Sequence, residues 1–384
     1  MTTAAELTGE KSQAGSGARN VGAPFAVPPI DCDIHPAGPS IRALLPYVED
    51  VWRELIVLRG IDRLALNLTS YPADAPATVR PDWRVPGGRP GSDLALLKAQ
   101  ALDAFGSQIA ICNVLHGAQL LHSEDMCAVF CTALNTWIAR ELLDRDPRLR
   151  ASILIPPENP ELAVEEIERC APDWRFVQVL LYVMGERPLG KRCFWPIYEA
   201  AVKHGLPIGV HAGSGYRHPP TSTGWPSYFM EDYVAQSAAF ETQLLSFVAE
   251  GAFARFPDLK VVFIESGFTW LPAFMWRLGK TWRGVRAEVP WVKQAPPDVI
   301  RHHLRLTLQP VDPPVDPLAL ERIIDQLGTE DMLLFSTDYP HAHFAGTNAL
   351  PRALAGAHAA KVLADNALAT YARLRPQPAG EEVL

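Results

Sequence analysis

Eight short apolar runs punctuate the chain: Ile30–His35, Gln108–Leu115, Ala151–Ile155, Phe176–Tyr182, Pro207–His211, Lys260–Glu265, Leu304–Gln309 and Met332–Asp338. Each is rich in β-branched or aromatic residues and bounded by turn formers, the signature of a strand buried on both faces. Between most of them, apolar positions recur at helical spacing. The clearest helices are Asp125–Leu143, Pro160–Cys170, Trp195–His204 with Gly205 as its stop, and Tyr233–Phe256. Others fit Leu271–Arg286, Pro317–Gln326 and Asp365–Leu374. Repeated strand-then-helix units predict an α/β fold, a closed parallel (β/α)8 TIM barrel in a single domain; a doubly wound open sheet is the alternative.

The polar residues at the downstream ends of these runs carry the chemistry. Asp33 and His35 are two apart and share a face of an extended segment. His211 ends an apolar strand before Ala212-Gly-Ser-Gly215; Glu265 precedes Ser266-Gly267; Asp338 precedes Tyr339-Pro340-His341. In a parallel barrel such positions converge on one mouth. Carboxylate and imidazole together suit zinc, manganese or iron, so Asp33, His35, His211, Glu265 and Asp338 are the candidate ligands of one or two divalent ions. Asp338, Glu265 and His341 are the candidate catalytic groups. His218, Trp270 and Arg277 are candidates for holding substrate, and Trp225, Tyr228 and Phe229 add apolar surface.

One stretch breaks the alternation. Between 67 and 92 stand five prolines and three glycines, a density that excludes regular structure and leaves a lid, a subunit-contact arm or a plain surface loop. Residues 1–27 are expected to form a flexible leader without a secretory h-region, 28–376 the barrel, and 377–384 a tail.

Composition removes several classes of function. Apolar residues make up 48% and charged ones 20%, as in ordinary globular proteins. The formal charge of −8, without a Lys/Arg cluster, argues against nucleic acid or an anionic membrane. No run reaches the roughly 18–20 apolar residues of a membrane span. Six cysteines without a CxxC pair point to reduced thiols and a cytoplasmic setting.

Several ordered motifs resemble the amidohydrolase superfamily: Asp33-x-His35, Phe194-Trp-Pro-Ile-Tyr198 leading to His211, Phe256-Pro-Asp-Leu-Lys-Val-Val-Phe-Ile-Glu-Ser-Gly267, Ser336-Thr-Asp-Tyr-Pro-His341 and Asp365-Asn-Ala367. Within it they look like the branch containing aminocarboxymuconate-semialdehyde decarboxylase and γ-resorcylate decarboxylase. The resemblance implies a distorted barrel, a divalent metal on Asp33, His35 and His211, an Asp338 that binds metal and moves protons, and a homodimer. The chain departs from that branch at Glu265, where its decarboxylases usually carry a histidine. An added carboxylate would repel a carboxylate substrate by roughly 4 kcal/mol at about 4 Å and an effective dielectric near 20. A second cation would remove that penalty. The expectation is therefore a hydrolase of an amide, ester or thioester with a metal-activated water at a binuclear centre. A single-metal nonoxidative decarboxylase is the runner-up, and a non-catalytic binding barrel the third reading. The substrate is expected to be small, apolar and bulky or aromatic.

Overall fold

The computed structural model describes residues 25, 27–62, 64, 78–214, 219–342 and 350–375. All eight predicted strands form, at β1 (Ile30–Ile34), β2 (Ile109–Cys112), β3 (Leu149–Leu154), β4 (Phe176–Met184), β5 (Ile208–Ser214), β6 (Val261–Ile264), β7 (Leu304–Thr307) and β8 (Leu333–Leu334). They pair in sequence order and in parallel. β8 is short, yet the backbone beyond it closes the seam: Cys32 N donates to Phe335 O, Asp338 N to Asp33 O and His35 N to Tyr339 O. The result is a distorted (β/α)8 barrel.

The two faces of the strands bury different cores. Ile30, Cys32, Ile111, Leu180, Val262, Ile264 and Leu334 pack inside the barrel, where Ala367 and Tyr371 of the C-terminal segment join them. The outer faces pack on the helices in a larger cluster that includes Phe130, Phe194, Tyr198, Phe247 and Phe263. Burial on both faces explains why the strands read as continuous apolar runs.

Helix boundaries depart from the periodicity where local chemistry overrides it. The long helix before β6 starts at Phe229, where the Glu231 carboxylate accepts from Tyr228 N, and it ends at Ala249. Gly251 then turns the chain at φ +83°, and any Cβ there would strike the Trp291 ring at 2.5 Å, so the expected continuous helix to Phe256 is broken. Helices Asp50–Leu58 and Pro296–His303 were not predicted. Within the proline-rich stretch, 67–77 lie outside the described residues. Residues 78–92 carry one 3-10 turn, Pro81–Trp83, and an antiparallel bridge from Val79 to His341. No helix among the described residues is long and apolar enough to cross a membrane.

Candidate metal centre

β1 delivers Asp33 and His35 to the C-terminal mouth with their side chains on one face, as the spacing requires. His35 Nε2 stands 3.2 Å from Asp33 Oδ1 and 3.1 Å from Asp338 Oδ1, which arrives from the far side of the closed seam. The His211 ring, from β5, meets that of His35 edge-on at 5.0 Å between centroids. His341 Nδ1 lies 2.7 Å from Asp338 Oδ1. One atom each from Asp33, His35 and His211 falls within 4.8 Å of the others, and the same holds for His35, Asp338 and His341.

The arrangement fits a divalent cation. His35 Nδ1 faces the Asn113 carbonyl at 3.0 Å and His211 Nδ1 the Ala212 carbonyl at 2.7 Å, so each ring keeps its hydrogen on Nδ1 and turns Nε2 inward. Both Nε2 atoms and Asp33 Oδ2 are buried without a hydrogen bond. Burial resists a charge on His35, but the Asp33 and Asp338 carboxylates outweigh it and push the imidazole well above its ordinary range. His211, where burial wins, falls to about 4 and stays neutral as a ligand must.

Backbone strain collects at the same rim. The three non-glycine residues with positive φ among those described, Glu265 at +62°, Asp312 at +46° and Asp338 at +54°, follow β6, β7 and β8. Such conformations cost of order 1–3 kcal/mol each and persist where side-chain aim matters more than backbone comfort.

Glu265 stands beside His211. Its Oε2 is 3.6 Å from His211 Nε2. Burial, reinforced by Asp338, raises its carboxyl to about 8 and so favours the neutral acid. That preference weakens the electrostatic case for a second cation.

The other predicted residues separate. Trp270 caps helix Leu271–Val285 half-buried, with Nε1 donating to Ser266 O directly behind Glu265. Arg277 does not join the cluster: it is exposed in the second turn of that helix, and its charge acts on Glu241. His218 lies outside the described residues. Trp225 and Tyr228 are exposed, while Phe229 stacks on Tyr233 at 5.6 Å.

Three contributors escaped the sequence reading. Asp31 is fully buried and accepts from Thr337 N at 3.0 Å, Thr337 Oγ1 at 2.6 Å and Asp33 N at 3.2 Å, tying the two acidic segments together. The alternation Asp31-x-Asp33-x-His35 was its visible signal. Tyr233 lies near the Glu265 and Asp338 carboxylates; burial and those charges push its hydroxyl up. Asn113, at the end of β2, donates from Nδ2 to Asp33 Oδ1 at 2.8 Å. Nothing local in the sequence marks either of these two.

The amidohydrolase family model matches residues 30–373. The chain belongs to that family. This amidohydrolase is 24% identical over 218 residues to the γ-resorcylate decarboxylase of a Polaromonas species, a match covering 54% of this chain and 64% of that protein. Among solved structures, 5-carboxyvanillate decarboxylase from Sphingomonas paucimobilis aligns with TM-score 0.65 at 19% identity, over 90% of this chain and 99% of that one. The dihydroxybenzoic acid decarboxylase of Polaromonas, solved with manganese and 2-nitroresorcinol, aligns with TM-score 0.63 at 19% identity, over 91% and 98%. These relatives are decarboxylases, and that overturns the hydrolase expectation for this amidohydrolase. Burial of Glu265, which favours its neutral form, removes the ground for expecting a second cation.

Proposed function

We propose that this chain is a nonoxidative decarboxylase of a small aromatic or conjugated carboxylic acid, working with one divalent metal held by Asp33, His35, His211 and Asp338. The observation that carries the reading is the approach of two buried carboxylates, Asp33 and Asp338, to a single imidazole nitrogen of His35. The relatives, named as decarboxylases of hydroxylated aromatic acids, supply the reaction class. Manganese is the metal suggested by the structure of one of them.

When bound, the metal would anchor the substrate's oxygens and withdraw electron density from its ring. The protein's own groups move the proton. Burial opposes a proton on His341, but the Asp338 carboxylate, in contact at 2.7 Å, outweighs it and raises the imidazole above its ordinary value. Burial would lift the Asp338 carboxyl too, yet His341 and His35 hold it well below the usual range. The proton thus rests on His341 and passes through Asp338 to the ring carbon that bears the carboxylate. That carbon's bond to the carboxylate breaks, the bonding pair stays with the ring, and carbon dioxide leaves. His341 is 21% exposed at its side chain and regains a proton from solvent, so one proton enters for each carbon dioxide released. Glu265, whose neutral form burial favours, and the Trp270 ring border the site.

The same reading includes a homodimer in a reducing cytoplasm. All six cysteines are free, five of them buried. Exposed Trp225, Tyr228, Met230 and Val234 form apolar surface suited to a subunit contact.

The test is to incubate manganese-loaded protein with hydroxylated benzoic acids and with their methyl esters. Carbon dioxide from the free acids, with the esters intact, is expected; ester cleavage without carbon dioxide would overturn the proposal.

A further inference from the structure

A chain of buried hydrogen bonds crosses the barrel interior below the metal centre. Asn113 Nδ2 donates to Asp33 Oδ1 at 2.8 Å. The amide's oxygen accepts from Ser152 Oγ at 2.5 Å and from Gln178 Nε2 at 3.0 Å. Gln178 Nε2 also donates to Ser152 Oγ at 2.8 Å, and Gln178 Oε1 accepts from Tyr371 OH at 3.2 Å. Asn113, Ser152, Gln178 and Tyr371 are all 0% exposed.

The direction of every link is forced. The Asn113 amide nitrogen faces Asp33 Oδ1 and also the Cys32 carbonyl at 3.5 Å, and a carbonyl only accepts, so the amide oxygen must face away. Ser152 and Gln178 must then donate to that oxygen, which leaves Gln178 Oε1 for the one remaining donor, the Tyr371 hydroxyl. A flip of either amide would set donor against donor or acceptor against acceptor. The chain therefore aims its positive ends at Asp33, and successive bonds polarise one another in the low-dielectric interior. Meanwhile the Asn113 backbone carbonyl takes the Nδ1 hydrogen of His35 at 3.0 Å. One residue thus holds both members of the Asp33-x-His35 pair, one through its side chain and one through its main chain.

Two features of the sequence serve this network. Gly209 lines the interior of β5, and a Cβ there would lie 3.0 Å from Gln178 Cδ, Gln178 Oε1 and Ile264 Cδ1, so glycine leaves room for both the amide and Ile264. Tyr371 comes from the C-terminal segment, whose neighbours Ala367 and Leu374 pack in the same interior core. The far end of the chain is thereby coupled to a first-strand ligand.

We infer that Asn113 is the positioning residue for the Asp33–His35 pair, and that Ser152, Gln178 and Tyr371 set the direction of its amide. The inference rests on the proposed metal role of that pair. Its consequence is that removing a hydroxyl at the closed end of the barrel weakens metal binding at the open end. With Oδ1 engaged by Asn113, Asp33 offers Oδ2, the oxygen that has no hydrogen bond.

The experiment measures manganese affinity of the full-length chain by competition with a chelator, alongside melting temperature. Compared are the parent, Asn113→Ala, Ser152→Ala, Tyr371→Phe and a control, Ile111→Val, which trims the same interior core without touching a hydrogen bond. Asn113→Ala should weaken affinity roughly 10- to 100-fold, the usual effect of removing a partner of a metal ligand. Tyr371→Phe and Ser152→Ala should weaken it less but in the same direction, and Ile111→Val should leave it unchanged. A folded Asn113→Ala protein binding within about twofold of the parent would overturn the inference, since such partners normally contribute at least about tenfold. Should Asn113→Ala fail to fold, parent-like affinity in both Tyr371→Phe and Ser152→Ala overturns it instead. A parent that binds no manganese is a separate failure, that of the metal-site reading itself.

Discussion

Asp338 Oδ1 lies 3.1 Å from His35 Nε2, joining the last strand of the barrel to the first. Asp33 approaches the same nitrogen at 3.2 Å. Two buried carboxylates around one imidazole nitrogen define a point that demands positive charge. A proton on His35 meets that demand in the metal-free protein, and a divalent cation meets it better.

If Asp338 carries the proton while His35, His211 and Asp33 supply most of the metal affinity, the Asp338→Asn variant separates the two roles. It should retain bound manganese while turnover falls by about 10²- to 10⁴-fold, the range expected for losing a general acid. Metal content by elemental analysis, together with carbon dioxide release, checks both halves. An active Asp338→Asn protein would contradict the proton role.

His211 has no comparable substitute. Its Nε2 is buried and turned inward by the 2.7 Å contact of Nδ1 with Ala212 O. His211→Ala should lose both metal and activity, and added manganese should not restore turnover. Retention of a stoichiometric ion after dialysis would exclude His211 from the coordination sphere.

Glu265 offers a sharper test because its proposed role depends on being neutral. With the carboxyl raised to about 8 by burial and by Asp338, Glu265→Gln preserves its charge state at pH 7 and should keep metal and most activity there. Above about pH 8 the parent gains a negative charge beside Asp338 and should slow relative to the variant. Loss of metal from Glu265→Gln at pH 7 would make Glu265 a ligand instead.

Much of this was legible in the chain. Each strand was visible because burial on both faces leaves no polar alternation to confuse it, and the ligand candidates stood out as acids and imidazoles ending apolar runs. What was hidden depended on three dimensions. Glu265 looks like a charge until its burial is known; Asn113 looks like a turn former until β1 and β3 flank it; Arg277 looks like a substrate clamp until helix geometry turns it toward Glu241. The break at Gly251 required knowing that Trp291 packs against it.

Away from the site, His303 should set part of the acid stability. Its Nδ1 contacts Leu259 O at 2.7 Å and its ring stacks on Phe253 at 4.4 Å, and burial lowers its pKa to about 4 from the ordinary 6.5. Between those values the unfolded chain binds the proton and the folded one does not. His303 therefore contributes stability that is present above pH 6.5 and lost as pH falls toward 4. His303→Asn, which keeps a donor for Leu259, should show a flatter melting temperature across that window; an unchanged acid slope would assign the effect elsewhere.

The central claim is that one divalent ion, shared by β1, β5 and the segment after β8, serves carbon dioxide release. Its most direct test titrates manganese into metal-free protein while following carbon dioxide evolved from hydroxylated benzoic acids. Activity rising from zero and levelling at one ion per chain is the predicted result. No carbon dioxide from any of these acids at any loading, or a plateau only at two ions, would contradict it.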